Sequence, residues 1–324
     1  MKLTRGVCTP LKRPVYRCCH SRESGHPETP PPNVPRNGKK LQTPEWWYNR
    51  ILMKMHIVCC IKQVPDTAQV KIDPDTNTLV RSGVESICNP YDLVAVEAAV
   101  QLIEKHGGKV TVLTMGPPQA ETALRECLAL GAADAVLLSD RAFAGADTLA
   151  TSYTLAQAIT FITRIEPVDL VICGKQAIDG DTAQTGPGIA TRLGFQQFTY
   201  VSKIIDVDLK NRTIRVHREV EGGREIIEGK LPALLTAELE LATPRYASLP
   251  DLVRALRYPV GTWGARQIAG LPEKLGLKGS PTSVKEIFTP PQRKGGPVFD
   301  SAEEFLDSLF KNESSLLDEL LPKG

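Results

Sequence analysis

Four short apolar runs, each followed by a segment of helical period, limit what this chain can become. MHIVCCI (55–61), VTVLTM (110–115), DAVLLSD (134–140) and VDLVIC (168–173) read as strands. Between the first two lies NPYDLVAVEAAVQLIEKHGGK, in which Leu93, Val96, Ala99, Val100 and Ile103 recur at helical spacing and Gly107-Gly108 ends the run. PPQAETALRECLALGA starts with Pro and ends at Gly131. ADTLATSYTLAQAITFITRIE has Asp147 or Thr148 as its N-cap. TGPGIATRLG opens a fourth helix. Parallel neighbours need a crossover, so strand-helix alternation predicts an α/β fold with a parallel sheet and helices on both faces. The strands lack period-two alternation, as expected for burial on both sides. In such sheets ligands bind beyond the carboxyl ends of the strands, where the winding reverses. The turns after Ile61, Met115, Ser139 and Cys173 all fall on that edge.

After Gly194 the pattern changes. YVSKIIDVDLKNRTIRVHREVEGGREIIEG alternates, with turn signals at Lys210-Asn211 and Gly222-Gly223, and predicts a β-meander. LPALLTAEL is a further apolar strand. From Pro244 the chain is rich in Pro and Gly, with GLKGSPTSVKEIFTPP its longest irregular piece. An amphipathic helix follows over about Ser301 to Leu321, interrupted near Asn312. A long irregular stretch fits poorly in one compact domain and predicts an arm lying on a partner chain. The expected division is a disordered extension over 1–54, a nucleotide-binding α/β domain over 55–243, and a partner-recognition loop with a C-terminal arm over 244–324.

Charge separates the first of these from the rest. The net charge of +2 conceals 11 Lys and Arg against 3 Glu up to Lys54, which leaves the remainder acidic. An acidic body argues against nucleic acid as partner. SRESGHPETPPPNVPRNGKK has no helical or strand period and no apolar core of a secretory signal. The functional protein is expected to start at or near Met55, with a removable targeting segment as the alternative. No apolar run approaches the roughly 20 residues that cross a bilayer. The eight Cys include the adjacent pairs Cys18-Cys19 and Cys59-Cys60, without zinc-ligand spacing. Buried reduced thiols are expected, in the cytoplasm or, alternatively, the mitochondrial matrix.

The stretch CGKQAIDGDTAQTG (173–186) follows the fourth strand and places three Gly, two Asp, two Thr and two Gln at the start of a helix. Unpaired N–H groups at a helix start attract anions. Gly180 and Gly186 are expected to let the backbone approach a ligand, while Thr182, Gln184 and Thr185 add hydroxyl and amide groups. Asp179 and Asp181 sit awkwardly beside phosphate unless they turn outward, accept ribose hydroxyls or cap the helix. The stretch is therefore either a nucleotide cradle or a well-capped loop; it is neither GxGxxG nor a P-loop. Lys62 ends the first strand, and CNPYD supplies a turn to wall a planar ring. SDRAFAGADTLATSY offers Asp140, Arg141, Gly145, Asp147 and Thr148 to a phosphate or ribose, or forms only a loop and an N-cap. His217 reads as a strand residue and Trp263 as a packing anchor. No Ser-His-Asp or Cys-His set gathers on one edge, which points to a cofactor holder and not a hydrolase.

IKQVPD, NPYDLVAVEAA, GKQAIDGDTAQTG and VHREVEGGREIIEGKLPALLTAELELATPRYASLP together resemble the electron-transfer flavoprotein beta subunits, over roughly Met55 to Arg254. The resemblance implies an adenine-nucleotide-binding, alpha-hydrolase-like fold and a heterodimer with an alpha subunit. It implies FAD in this subunit in the electron-bifurcating branch, or AMP in the simple carrier branch. The residues from Thr114 to Tyr153 and the GLKGSPTSVKEIFTPP piece resemble the FAD-holding branch. By motif match the nucleotide contacts fall on Cys60, Asn89, Pro90, Tyr91, Asp92, Met115, Gly174, Lys175, Gln176, Ala177, Ile178, Asp179, Gly180, Asp181, Thr182, Ala183, Gln184 and Thr185. Asp147 and Thr148 join them. ATPRYASLPDL resembles the partner-recognition loop, with Leu249 anchoring an acyl-CoA or other dehydrogenase. In the bifurcating branch the further partners are NADH and a ferredoxin or flavodoxin. No metal and no catalytic residue is expected. Two rivals remain: a nucleotide hydrolase or adenylating enzyme of the same fold, which would need a glycine-rich loop where IKQVPDTAQ stands, and a scaffold whose loops serve contacts only.

Overall fold

The computed structural model describes residues 54–66, 71–72, 79–80, 86–283 and 295–312. All of them belong to the body formed by residues 45–324. The extension expected over 1–54 lies outside the described residues, except for Lys54.

The strands and helices follow in chain order. β1 (Met55–Cys60) is succeeded by the short β2 (Gln63–Pro65), β3 (Lys71–Ile72), β4 (Leu79–Val80) and β5 (Ser86–Cys88). Then come α1 (Pro90–His106), β6 (Gly108–Met115), α2 (Glu121–Ala129), β7 (Asp134–Leu138), α3 (Thr148–Ile165), β8 (Leu170–Gly174) and α4 (Thr185–Leu193). The meander is β9 (Gln196–Asp208), β10 (Thr213–Val220) and β11 (Gly223–Lys230), and β12 (Ala233–Ala237) returns beside β8. α5 (Leu249–Arg257), β13 (Gly261–Trp263) and α6 (Ala302–Asn312) complete the described chain. The part of the last helix expected beyond Asn312 lies outside the described residues.

Nine strands form one sheet in the order β11-β10-β9-β12-β8-β1-β6-β7-β13. The seven from β9 to β13 pair in parallel. β9, β10 and β11 pair antiparallel. Winding runs from β1 through β6 to β7, and then β8 returns to the other side of β1. The switch point is therefore the carboxyl edge between β1 and β8, where Cys60 stands opposite Cys173.

Successive residues of β1 serve opposite cores, as a pleated strand requires. Met55, Ile57 and Cys59 pack with Val96, Ala99 and Val100 of α1 and Leu124 and Leu128 of α2. Val58 and Cys60 pack with Leu155 and Ile159 of α3 and Ile189 of α4. Gly107 ends α1 at φ 77°, a conformation that favours glycine. Beyond Pro244, β13 joins the sheet edge beside β7, and Trp263 packs edge-on against Phe161 at 5.1 Å.

Candidate functional site

At the switch point a single carboxylate ties the two central strands together. Asp92, buried in the first turn of α1, accepts the Lys62 N–H on Oδ2 at 2.8 Å and the Gly174 N–H on Oδ1 at 2.8 Å. These N–H groups lie at the carboxyl ends of the two strands, Lys62 just past β1 and Gly174 at the last residue of β8. Gly174 has no room for a side chain: a Cβ there would lie 2.5 Å from Asp92 Oδ1 and 2.5 Å from Tyr91 Cβ. Burial pushes the Asp92 carboxyl up to about 7, against the downward pull of its two N–H donors.

Asn89, just before α1, shapes the loop after β8. Its Nδ2 donates to Gln176 O at 2.8 Å, and its Oδ1 accepts from Ile178 N at 3.2 Å. Lys62 Nζ lies 2.7 Å from each carboxylate oxygen of Asp179. Gln176 Nε2 donates to Asp181 Oδ1 at 2.8 Å. Both carboxylates are thus occupied by donors. Asp181 (φ 46°) and Ala183 (φ 53°) hold left-handed conformations in the descent to α4.

α4 opens on Gln184, which makes no side-chain cap. Its Oε1 accepts from Thr148 Oγ1 at 3.1 Å, linking the starts of α4 and α3 across the edge. α3 is capped by Asp147, whose Oδ1 accepts from Ala150 N at 3.0 Å. A strap from the later chain seals this cap: Asp147 N donates to Ser280 Oγ at 2.8 Å, and Thr282 Oγ1 to Asp147 Oδ2 at 2.9 Å. Gly276, at φ 51°, fits this strap against the Ala142 carbonyl, where a Cβ would come within 2.3 Å.

Between these elements lies a cleft of about 560 Å³, within the usual span of small-molecule sites. It is lined by Cys60, Asn89, Asp92, Met115, Asp147, Thr148, Gly174 to Ala177 and Gly180 to Thr185. Pro90, Tyr91, Ile178 and Asp179, also expected as contacts, do not line it. Leu249 stands apart on α5 and is 73% exposed. The sequence reasoning missed Ala146, Thr151, Leu155 and Ile189 in the lining. Thr148, Thr151 and Leu155 share one face of α3 at helical spacing, and that period is the signal that would have found them.

Gly186 lines the cleft and has a packing role as well. A Cβ there would lie 2.6 Å from Thr236 Cγ2 and 2.9 Å from Cys173 Sγ, so the glycine lets α4 pack on the sheet. At Gly180 a Cβ would meet nothing within 4 Å. Lys175 turns to Glu238, with Nζ 3.0 Å from Oε1 and 5.1 Å from the Tyr200 ring centroid.

The chemistry this wall can perform is restricted. Burial pushes the Cys60 thiol up to about 12 and raises that of Cys173, so neither supplies a thiolate nucleophile at neutral pH. No His lines the cleft. Among the described residues no group of His, Cys, Asp and Glu is placed to hold a metal ion. The arrangement is suited to holding a ligand: apolar contact from Met115, Leu155 and Ile189 beside hydroxyls, amides and an uncapped helix start.

Comparison with known proteins adds to this geometry. A family model for the electron transfer flavoprotein domain matches residues 76–258. Protein FixA of Azotobacter vinelandii is 51% identical over 281 residues, covering 83% of this chain and 100% of that protein. The caffeyl-CoA reductase-Etf complex subunit CarD of Acetobacterium woodii is 51% identical over 245 residues, 75% of this chain and 91% of its own. The electron transfer flavoprotein subunit beta of Megasphaera elsdenii is 45% identical over 273 residues, 83% of this chain and 97% of its own. Among the described residues no helix is long and apolar enough to cross a membrane.

Proposed function

The chain belongs to the electron-transfer flavoprotein beta-subunit family and works in electron transfer with an alpha subunit; we propose that it holds an FAD of its own and takes part in electron bifurcation. The observation that carries the choice of FAD over the smaller AMP is the reach of the cleft. It does not stop at the switch point but continues to Met115 and along Thr148, Thr151 and Leu155 of α3. That extension offers an apolar wall for a second ring system beyond the adenylate end.

In this reading the start of α4, with Thr182, Gln184 and Thr185, holds the phosphates. The Asn89 and Asp92 side chains hold the loop that forms the wall, and contact the ligand only along their lining atoms. A flavin held here would supply hydride acceptance and separate one-electron donation. NADH is the proposed two-electron donor and a ferredoxin or flavodoxin one of the acceptors. The chain itself orients the ring, excludes water with its apolar wall and docks partners. For docking, α5 presents Leu249, Leu252, Val253 and Leu256, at 73%, 43%, 39% and 70% exposure. They recur at helical spacing and form one apolar strip, which we assign to an acyl-CoA or related dehydrogenase.

The test is to purify the heterodimer, release its nucleotides with acid and weigh them. Two FAD per heterodimer bear the proposal out. One FAD with one AMP replaces it with a simple carrier, and the absence of any nucleotide from this subunit overturns both.

A further inference from the structure

Helix α5 keeps its apolar strip in solvent, yet it is firmly attached to the body. Of its own residues only Ala255 is buried in the core, so apolar packing holds the helix at a single point. Three arginines add directional bonds. Arg125 of α2 donates from Nη1 to the carbonyls of Ala255 at 2.6 Å, Leu256 at 2.9 Å and Tyr258 at 3.3 Å. Arg254 of α5 returns the contact, donating from Nη2 to Leu128 O at 2.7 Å and from Nη1 to Ala132 O at 3.2 Å. Each helix thus satisfies the open carbonyl end of the other, where a cation is also favoured by the helix dipole.

Arg245 fixes the chain that enters α5. Its Nε and Nη2 reach the Glu97 carboxylate at 2.8 and 3.0 Å, and its Nη1 and Nη2 reach Glu104 at 2.6 and 3.1 Å. Glu97 is 2% exposed on α1. A guanidinium fork sets direction as well as distance, which a lysine ammonium does not.

We propose that Arg125, Arg245 and Arg254 are positioning residues for partner docking. They hold α5 by directional hydrogen bonds on its polar side, so that Leu249 and Leu256 face outward in one fixed orientation. This rests on the assignment of α5 as the docking element. A helix secured through its own apolar face would have no strip left to offer. A helix secured by nothing would lose entropy on each encounter, and a preset orientation removes that loss.

The test uses the intact heterodimer carrying Arg125→Met, Arg254→Met or Arg245→Lys. Arg245→Lys keeps a cation beside buried Glu97, and Arg125→Met releases only Glu121 and the carbonyls at the end of α5, so the sheet and its core stay folded. Hydrogen exchange is expected to speed up by roughly 10-fold or more over residues 249–257, with β1, β6 and β8 unchanged. With an acyl-CoA dehydrogenase reduced by its substrate as probe, KM for the dehydrogenase is expected to rise about 10-fold while kcat stays within about 2-fold. Unchanged exchange over α5 overturns the proposal, and so does faster exchange without a rise in KM. Leu249→Ala separates this from the docking assignment. If that variant leaves KM unchanged, the docking assignment falls and the proposal with it. If Leu249→Ala raises KM and the arginine variants do not, only the arginine proposal falls.

Discussion

Lys62 and Asp179 join the ends of β1 and β8 through their side chains, with Nζ 2.7 Å from both carboxylate oxygens. The pair spans the switch point at the outer rim of the cleft, and the Lys62 side chain is 50% exposed. Such a pair adds little to global stability. Its effect is local, because it fixes the loop that carries Gly180 and Thr182. Lys62→Met and Asp179→Asn are each expected to change unfolding free energy by less than about 1 kcal/mol. If the cleft holds the proposed nucleotide, both should speed its release several-fold, measured by fluorescence on dilution. High salt should reproduce part of that effect in the unmodified protein and none of it in the variants.

Asp92 makes a sharper prediction, because its two oxygens both accept backbone N–H groups. Asn can offer only one acceptor there and turns an NH2 group toward the other donor. Asp92→Asn is therefore expected to cost about 1–3 kcal/mol in urea unfolding. The pH dependence has a definite sign. Burial raises the folded carboxyl to about 7, above its ordinary value, so the native state holds the proton more tightly than the unfolded chain. Its contribution is complete below about pH 4 and is lost as pH rises toward 7. The stability gap between the native protein and Asp92→Asn should be widest at or below about pH 4 and narrow by pH 8. A gap that widens with pH would show that the N–H donors outweigh burial.

What could be read from the sequence divides along physical lines. Strand-helix alternation, the Asp147 cap and the stop at Gly107 are local properties, written in periods and in single residues with special φ or side-chain acceptors. The parallel sheet and its switch point follow from them by the handedness of crossovers. β13 was not legible, because three residues pair at the edge only when β7 offers a free ladder. Asn89 could be placed at the site, but its bonds to Gln176 and Ile178 depend on residues 87 and 89 positions away. Gly186 was legible as a glycine that needs space, but not as one that needs it on the side of Thr236.

That last point separates two glycines by experiment. Gly186→Ala pushes a methyl into Thr236 and Cys173, and overpacking at a helix-sheet contact is expected to cost about 1–3 kcal/mol. Gly180→Ala meets no protein atom within 4 Å and has no left-handed backbone to strain. It should leave the nucleotide-free protein within about 0.5 kcal/mol of native stability. Any loss of nucleotide affinity in Gly180→Ala then reports direct approach of the ligand to that backbone. Thermal unfolding with and without nucleotide distinguishes the two sites.

Asp147 joins helix capping to the strap at the start of α3. Slight burial pushes its carboxyl upward, but the Ala150 N–H and the Thr282 hydroxyl outweigh it and hold the carboxyl below the usual carboxylate range. A lowered pKa gives a contribution that is present above about pH 4 and is lost as pH falls through the folded value. Asp147→Ala removes the cap and the Thr282 bond together and is expected to cost about 1 kcal/mol, with a range of 0.5–2. Asp147→Asn retains an acceptor for Ala150 and should recover most of it. In the FAD-holding reading the strap from Ser280 to Thr282 acts on the cleft through Asp147, which lines its α3 end where the second ring system would lie. Asp147→Ala should then release FAD several-fold faster, while an AMP seated at the switch point would be held as before. Off-rates measured for each nucleotide in the same variant show which end of the cleft the strap protects.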